Sequence, residues 1–135
     1  MSKHKSISQK KRRLVYEKYG HHCAYCGCEL EYKDMQVDHI ESVCLYNDYY
    51  QRKTLDELNE IENLMPSCRQ CNFYKSTGDI EYLRKRISDE LIRNLRKPFD
   101  YRLALKYGLI EEHFKPIEFY FESFESSEQI GKEKE

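Results

Sequence analysis

Apolar positions along this chain change period several times, and each change predicts an element. Leu14, Val15, Lys18 and Tyr19 share one side of a helix that Ser8 can cap and Gly20 can stop. Short extended pieces are expected near Glu29–Tyr32 and Met35–Ile40, and a further strand at Leu64-Met65, ended by Pro66. Thr54-Leu55-Asp56-Glu57 fits a capping box opening a short helix with Leu55, Leu58 and Ile61 inward. Another helix is expected from Arg69 to Gly78. Ile80, Leu83, Ile87, Leu91 and Leu95, spaced by three and four, predict the longest helix, capped by Asp79 and ending before Pro98. Pro98 opens a last helix through Tyr107, with Gly108 after it. Ile117, Phe119 and Phe121 alternate with Glu118, Tyr120 and Glu122, as in a strand or an edge docked on a partner. The fold class is α+β.

These elements divide the chain into a flexible basic arm at 1–7, a core at 8–78, C-terminal helices with a short strand packed on it at 79–124, and a polar, disordered tail at 125–135. Residues 41–52 show no period and read as a tyrosine-rich loop. Charged residues make up 35% of the 135 positions, so the apolar core is thin and a staple is expected. The net charge of −1 conceals segregation. Lys3, Lys5, Lys10, Lys11, Arg12 and Arg13 stand together without an acid, and Lys75, Arg84, Lys85, Arg86, Arg93 and Arg96 follow later. Such grouping suits an anionic partner, although basic residues on helices also serve as plain solvated faces. No stretch is apolar and long enough for a membrane span or a signal peptide, so the expected location is cytoplasmic.

Without a secretion signal, paired cysteines favour metal over disulfide. Cys23-Ala24-Tyr25-Cys26 and Cys68-Arg69-Gln70-Cys71 have forty-one residues between them. Each pair offers two sulfurs on one turn, and two turns complete the tetrahedron of a structural zinc. A four-thiolate site is closed, so it holds the scaffold and does not activate water. A rubredoxin-like iron site uses similar spacing but does not need the Asp-His between the pairs, and a redox dithiol does not account for two pairs. Cys28 and Cys44 are read as free thiols, Cys28 close enough to compete for the ion.

Between and beside the cysteines stand Asp38, His39 and Asn72. Asp38 and Asn72 are oxygen donors of the kind Mg²⁺ takes in small number, with water and substrate phosphate completing its shell. His39 is a candidate general base at neutral pH. A regular strand sends Asp38 and His39 to opposite faces, so a shared site demands a strand end or a bulge. Lys75 and Ser76 fall three and four residues beyond Asn72 and can hold a neighbouring phosphate. Arg12, Arg13, Arg84 and Lys85 are further candidates for nucleic-acid contact. Tyr46, Tyr49 and Tyr50 can stack on bases or pack the loop.

The run Cys23-Ala24-Tyr25-Cys26-Gly27, Val37-Asp38-His39-Ile40, Asn63 to Asn72 and Lys75-Ser76 resembles the HNH endonuclease family, in its zinc-knuckle, asparagine-ending, phage-like branch. The resemblance covers residues from about 12 to 78. It implies a small ββα-metal (His-Me finger) core with a four-cysteine zinc site, flanked by helices. It further implies His39 as general base, Asn63 as the brace that shapes the loop and orients the histidine, and Asp38 and Asn72 as holders of Mg²⁺ or another divalent cation.

The function expected is metal-dependent hydrolysis of DNA phosphodiester bonds, with DNA as partner and no membrane. A homodimer, or a phage packaging or mobile-element partner in a bacterial host cell, fits the same layout by analogy. The alternative is a zinc-stabilised DNA-binding module without activity. That reading gives no reason for His39 and Asn72.

Overall fold

The computed structural model describes residues 7–41 and 54–133, without the side chains of Leu55 and 127–133. Within them the chain forms two compact units. The first runs to Asp79 and takes in the chain again from Glu118; the second is Ile80–Ile117.

The first unit opens with α1 (Gln9–Glu17), where Ser8 Oγ accepts from Lys11 N at 3.1 Å. Val15 and Tyr16 are buried and Leu14 is half exposed, so the inner face is rotated from the predicted one. The extended piece expected at Glu29–Tyr32 reduces to a single bridge, His22 to Glu29, followed by a 3₁₀ turn at Tyr32–Asp34. Strand β1 (Gln36–His39) then pairs antiparallel with β2 (Leu64–Ser67), Asp38 opposite Met65 and His39 opposite Leu64. Pro66 lies inside β2 and does not end it, because a two-stranded sheet has open edges where a missing N–H costs no ladder bond.

Between the strands, α2 (Leu55–Leu58) starts at the expected cap, Thr54 Oγ1 accepting from Glu57 N at 3.1 Å. Helix α3 (Arg69–Lys75) follows β2 after one residue. It stops at Ser76, which lies in the positive-φ region. The product is a two-strand, one-helix core, as expected. Residues 1–6 of the predicted arm, and the loop that carries Cys44, Tyr46, Tyr49 and Tyr50, lie outside the described residues.

The C-terminal segment departs from the prediction. In place of a strand near 117–124 and a disordered tail, the chain forms a helix at Tyr120–Glu133. The alternation is real, but Glu122 Oε1 accepts from Phe119 N at 2.9 Å, the reach-back of a capping box that starts a helix there. The aromatic residues then fall at helical spacings. Phe119 is buried edge-on against Tyr25, while Phe121 and Phe124 flank the Tyr19 ring. Tyr120 N and Phe121 N donate to Tyr25 O and Ala24 O, so this segment docks on the first cysteine turn through backbone as well as rings.

In the second unit the predicted long helix appears as α4 (Ile80–Lys85), a π turn at Arg86–Glu90, and α5 (Leu91–Leu95). Leu83 is buried, but Leu91 and Leu95 are exposed by about two fifths (38% and 42%), so the stripe is only partly covered. Helix α6 (Phe99–Lys106) begins directly after Pro98, and Gly108 takes the positive φ that ends it. Arg84 lies between Glu81, at 3.0 Å, and the Ile117 carbonyl. Lys85 is exposed. The Tyr120–Glu133 helix of the first unit is α7.

Phe119 is 2% exposed and sits on the turn that carries Cys23 and Cys26. Phe119→Ala is expected to destabilise the first unit by about 3–5 kcal/mol. Denaturant titration with zinc in excess measures this; an unchanged midpoint would show that the C-terminal segment contributes nothing to the core.

Candidate metal and nuclease site

Two turns bring the four cysteines together. In the first, Gly27 N donates to Cys23 O at 3.0 Å and Cys23 N donates to Cys28 O at 2.8 Å. Gly27 has φ +81°, and a Cβ there would lie 2.8 Å from the Tyr120 ring, so both backbone and packing demand glycine. In the second turn Cys68 caps α3, its Sγ accepting from Cys71 N at 3.4 Å. The Sγ atoms of Cys23, Cys26, Cys68 and Cys71 all lie within 4.8 Å of one another.

Zinc–sulfur bonds of about 2.3 Å in a tetrahedron place sulfurs about 3.8 Å apart; Cys26 and Cys68 are separated by 3.8 Å. The thiols also act on one another electrostatically. A hydrogen bond with Cys71 pulls the Cys23 thiol down to about 4, and the same bond, with burial, pushes Cys71 far up. Burial lifts Cys26 to about 12. These four thiols can hold a zinc. Cys28 is exposed and is not one of the four.

The Asp-His pair lies on the strand that α3 packs against. Asp38 is buried, and its Oδ2 accepts from Tyr25 Oη at 2.5 Å and pairs with Lys75 Nζ at 3.0 Å. Burial, then the Asp38 charge, drives the Tyr25 hydroxyl far above its ordinary value, so it stays a donor. Lys75 also donates to His39 O at 3.0 Å. One ammonium therefore fastens both residues of the pair to α3. Lys75 is 0% exposed, which removes it from the predicted phosphate contacts. A long basic side chain three residues beyond Asn72 reads as a surface cation in the sequence; only the fold shows that it turns inward.

His39 is the last residue of β1, which meets the strand-end requirement set by the sequence. Its Nε2 lies 2.7 Å from Asn59 Oδ1. Asn63 is engaged differently. Its Nδ2 donates to Leu58 O at 2.7 Å and Glu41 O at 3.1 Å, its Oδ1 accepts from Glu41 N at 2.8 Å, and its carbonyl accepts from Ile40 N. Asn63 thus braces the chain on both sides of the loop, but the imidazole is held by Asn59. Asn59 is absent from the sequence-based set because a lone asparagine after a short helix carries no motif.

Asn72 is half-buried on α3, one turn before Lys75 and on the same face. Among the described residues, neither its side-chain amide nor Asp38 Oδ1 makes a hydrogen bond. Ser76 is exposed at the helix end. Arg12 is not a free basic contact. It donates to Tyr32 O at 2.7 Å and Met35 O at 2.9 Å, and so supports the turn that leads into β1. Arg13 remains exposed, its guanidinium 4.5 Å from the Tyr32 ring centre. Arg84, held by Glu81 and Ile117, is likewise committed within its own unit.

The buried pair makes a sharp stability prediction. Lys75→Ala leaves the Asp38 carboxylate buried with one neutral donor, and is expected to cost about 3–5 kcal/mol. Lys75→Met with Asp38→Asn, which removes both charges, should recover much of that loss. Equal destabilisation in the two proteins would show that the ion pair is not what holds α3 to β1.

No curated protein sequence matches the chain. Among solved structures, it is similar to the crystal structure of the Type II-C Cas9 enzyme from Actinomyces naeslundii, at 23% identity and a TM-score of 0.46. The alignment covers 76% of this chain and 11% of that one, so the present chain spans only a small part of that protein's length. Among the described residues, no helix is long and apolar enough to cross a membrane. Residues 23–78, which hold all four sulfurs, both strands and α3, match the HNH endonuclease family. What the chain shares with HNH endonucleases is therefore this segment, residues 23–78, which is similar to an HNH endonuclease domain.

Proposed function

We propose that this chain hydrolyses DNA phosphodiester bonds, with His39 as general base and a divalent cation held by Asp38 and Asn72. The observation that carries this reading is Lys75, which joins Asp38 and the His39 backbone to the helix bearing Asn72. It explains why an Asp-His pair, usually a surface feature, is built into the core of the domain.

The donor set fits a hard cation. Among the described residues Asp38 Oδ1 and the Asn72 side-chain Oδ1 are oxygens that accept no hydrogen bond, and few protein ligands suit Mg²⁺. When bound, such an ion supplies charge stabilisation to the phosphate and to the departing 3′ oxygen. The chain's own residues do the rest. His39 takes the proton from the attacking water, and Tyr25 and Lys75 fix the Asp38 carboxylate by its other oxygen. Because Lys75 already compensates the Asp38 charge, the ion is expected to bind weakly until DNA phosphate adds its own. Lys75 serves here as scaffold. Exposed Ser76, Arg13 and Lys85 remain as the nucleic-acid contacts, in place of Lys75, Arg12 and Arg84.

The four-thiol site is assigned a structural zinc. All four ligands must be deprotonated, so affinity should fall as pH falls and the thiols regain their protons. Binding of a structural zinc contributes roughly 10–16 kcal/mol in finger peptides, comparable to the stability of a whole domain. A strong chelator is therefore expected to unfold the first unit, with one zinc released per chain by atomic absorption. Retention of the circular dichroism spectrum after zinc removal would contradict this.

Activity is tested by nicking of supercoiled plasmid with and without Mg²⁺. His39→Ala should fold, bind DNA and cut about 10²–10⁴-fold more slowly. Undiminished cutting by that variant would overturn the assignment of the base. DNA binding without Mg²⁺-dependent cutting by the wild type would establish the binding module instead.

A further inference from the structure

A neutral imidazole offers a lone pair on one nitrogen only, and the partner of the other nitrogen decides which. His39 Nε2 is 2.7 Å from Asn59 Oδ1. A carboxamide oxygen accepts and cannot donate, so Nε2 carries the hydrogen and the lone pair is left on Nδ1. Among the described residues Nδ1 makes no hydrogen bond.

Asn59 is placed to do this rigidly. It is 5% exposed, in the turn that closes α2, and its backbone N donates to Asp56 O at 3.2 Å. The residue before it is fixed too, since Leu58 is fully buried and its carbonyl accepts from Asn63 at 2.7 Å. Asn63 therefore anchors the turn, and Asn59 delivers the contact to the ring.

We propose that Asn59 is the positioning residue of the proposed base: by accepting from Nε2–H it fixes the tautomer and rotation of His39 and leaves Nδ1 to take the proton from water. The inference rests on the reading of His39 as base. Asn59 itself touches neither the reacting water nor the ion.

The test uses the full chain, purified with zinc and labelled with ¹⁵N at histidine. In the wild type, His39 is expected as the Nε2–H tautomer with a slowly exchanging Nε2 proton. Asn59→Ala should lose that slow proton and show plasmid-nicking kcat reduced about 10- to 100-fold with KM unchanged. Asn59→Asp keeps an acceptor oxygen in place and should restore both the proton signal and most of kcat. An Nδ1–H tautomer in the wild type overturns the proposal, as does an unchanged kcat in Asn59→Ala. An Asn59→Asp protein as impaired as the alanine variant overturns it also. If Asn59→Ala fails to fold, the wild-type spectrum and the aspartate variant still decide. Normal cutting by His39→Ala would instead sink the general-base reading and leave the wild-type spectrum untouched, so the two failures are distinguishable.

Discussion

Two tight turns that meet sulfur to sulfur set the frame of the first unit. The first turn presents Cys23 and Cys26 and is backed by Phe119 and Tyr25; the second presents Cys68 and Cys71 and is also the cap of α3. Because Cys68 follows β2 directly, the position of the sulfurs fixes where the strand ends and the helix begins. Ala24 N donates to Pro66 O, so the first turn also holds the strand that leads to the second. A domain with so little apolar core gains its order from such local closures.

The same economy governs the interior of the site. A buried ion pair is a weak source of net stability, since desolvation offsets most of the Coulomb attraction, but breaking one partner is costly. Lys75 and Asp38 thus act less as glue than as a fixed coupling between strand and helix. Lys18 repeats the device nearby: half-buried, its pKa lowered by that burial, it donates to Ile61 O and Leu64 O and ties the end of α1 to the entry of β2. In both cases an ammonium on a flexible stem crosses from one element to another.

How much was legible in the sequence follows from these choices. The cysteine spacing, the Ser8 and Thr54 caps, the glycine turns and the strands around Asp38-His39 and Leu64 are local signals, and they appear where they were predicted. The residues that turned out otherwise all depend on tertiary context. Lys75 and Arg12 carry the composition of surface cations but point inward to carbonyls and a carboxylate. The alternation after Ile117 mimics a strand because the docking residues Phe119 and Phe121 happen to straddle a helix start. Asn59 has no signature at all, because its meaning lies in a ring twenty residues away.

Asn63 has a consequence for how this domain could vary. It grips Glu41 on one side and Leu58 on the other, so the chain just after β1 and the end of α2 are fastened to a single amide. A change at Asn63 would therefore be felt at the end of β1 and at the close of α2 together. The register of β1 and the seat of the turn beside the histidine are thereby tied to one side chain, and neither shifts without the other.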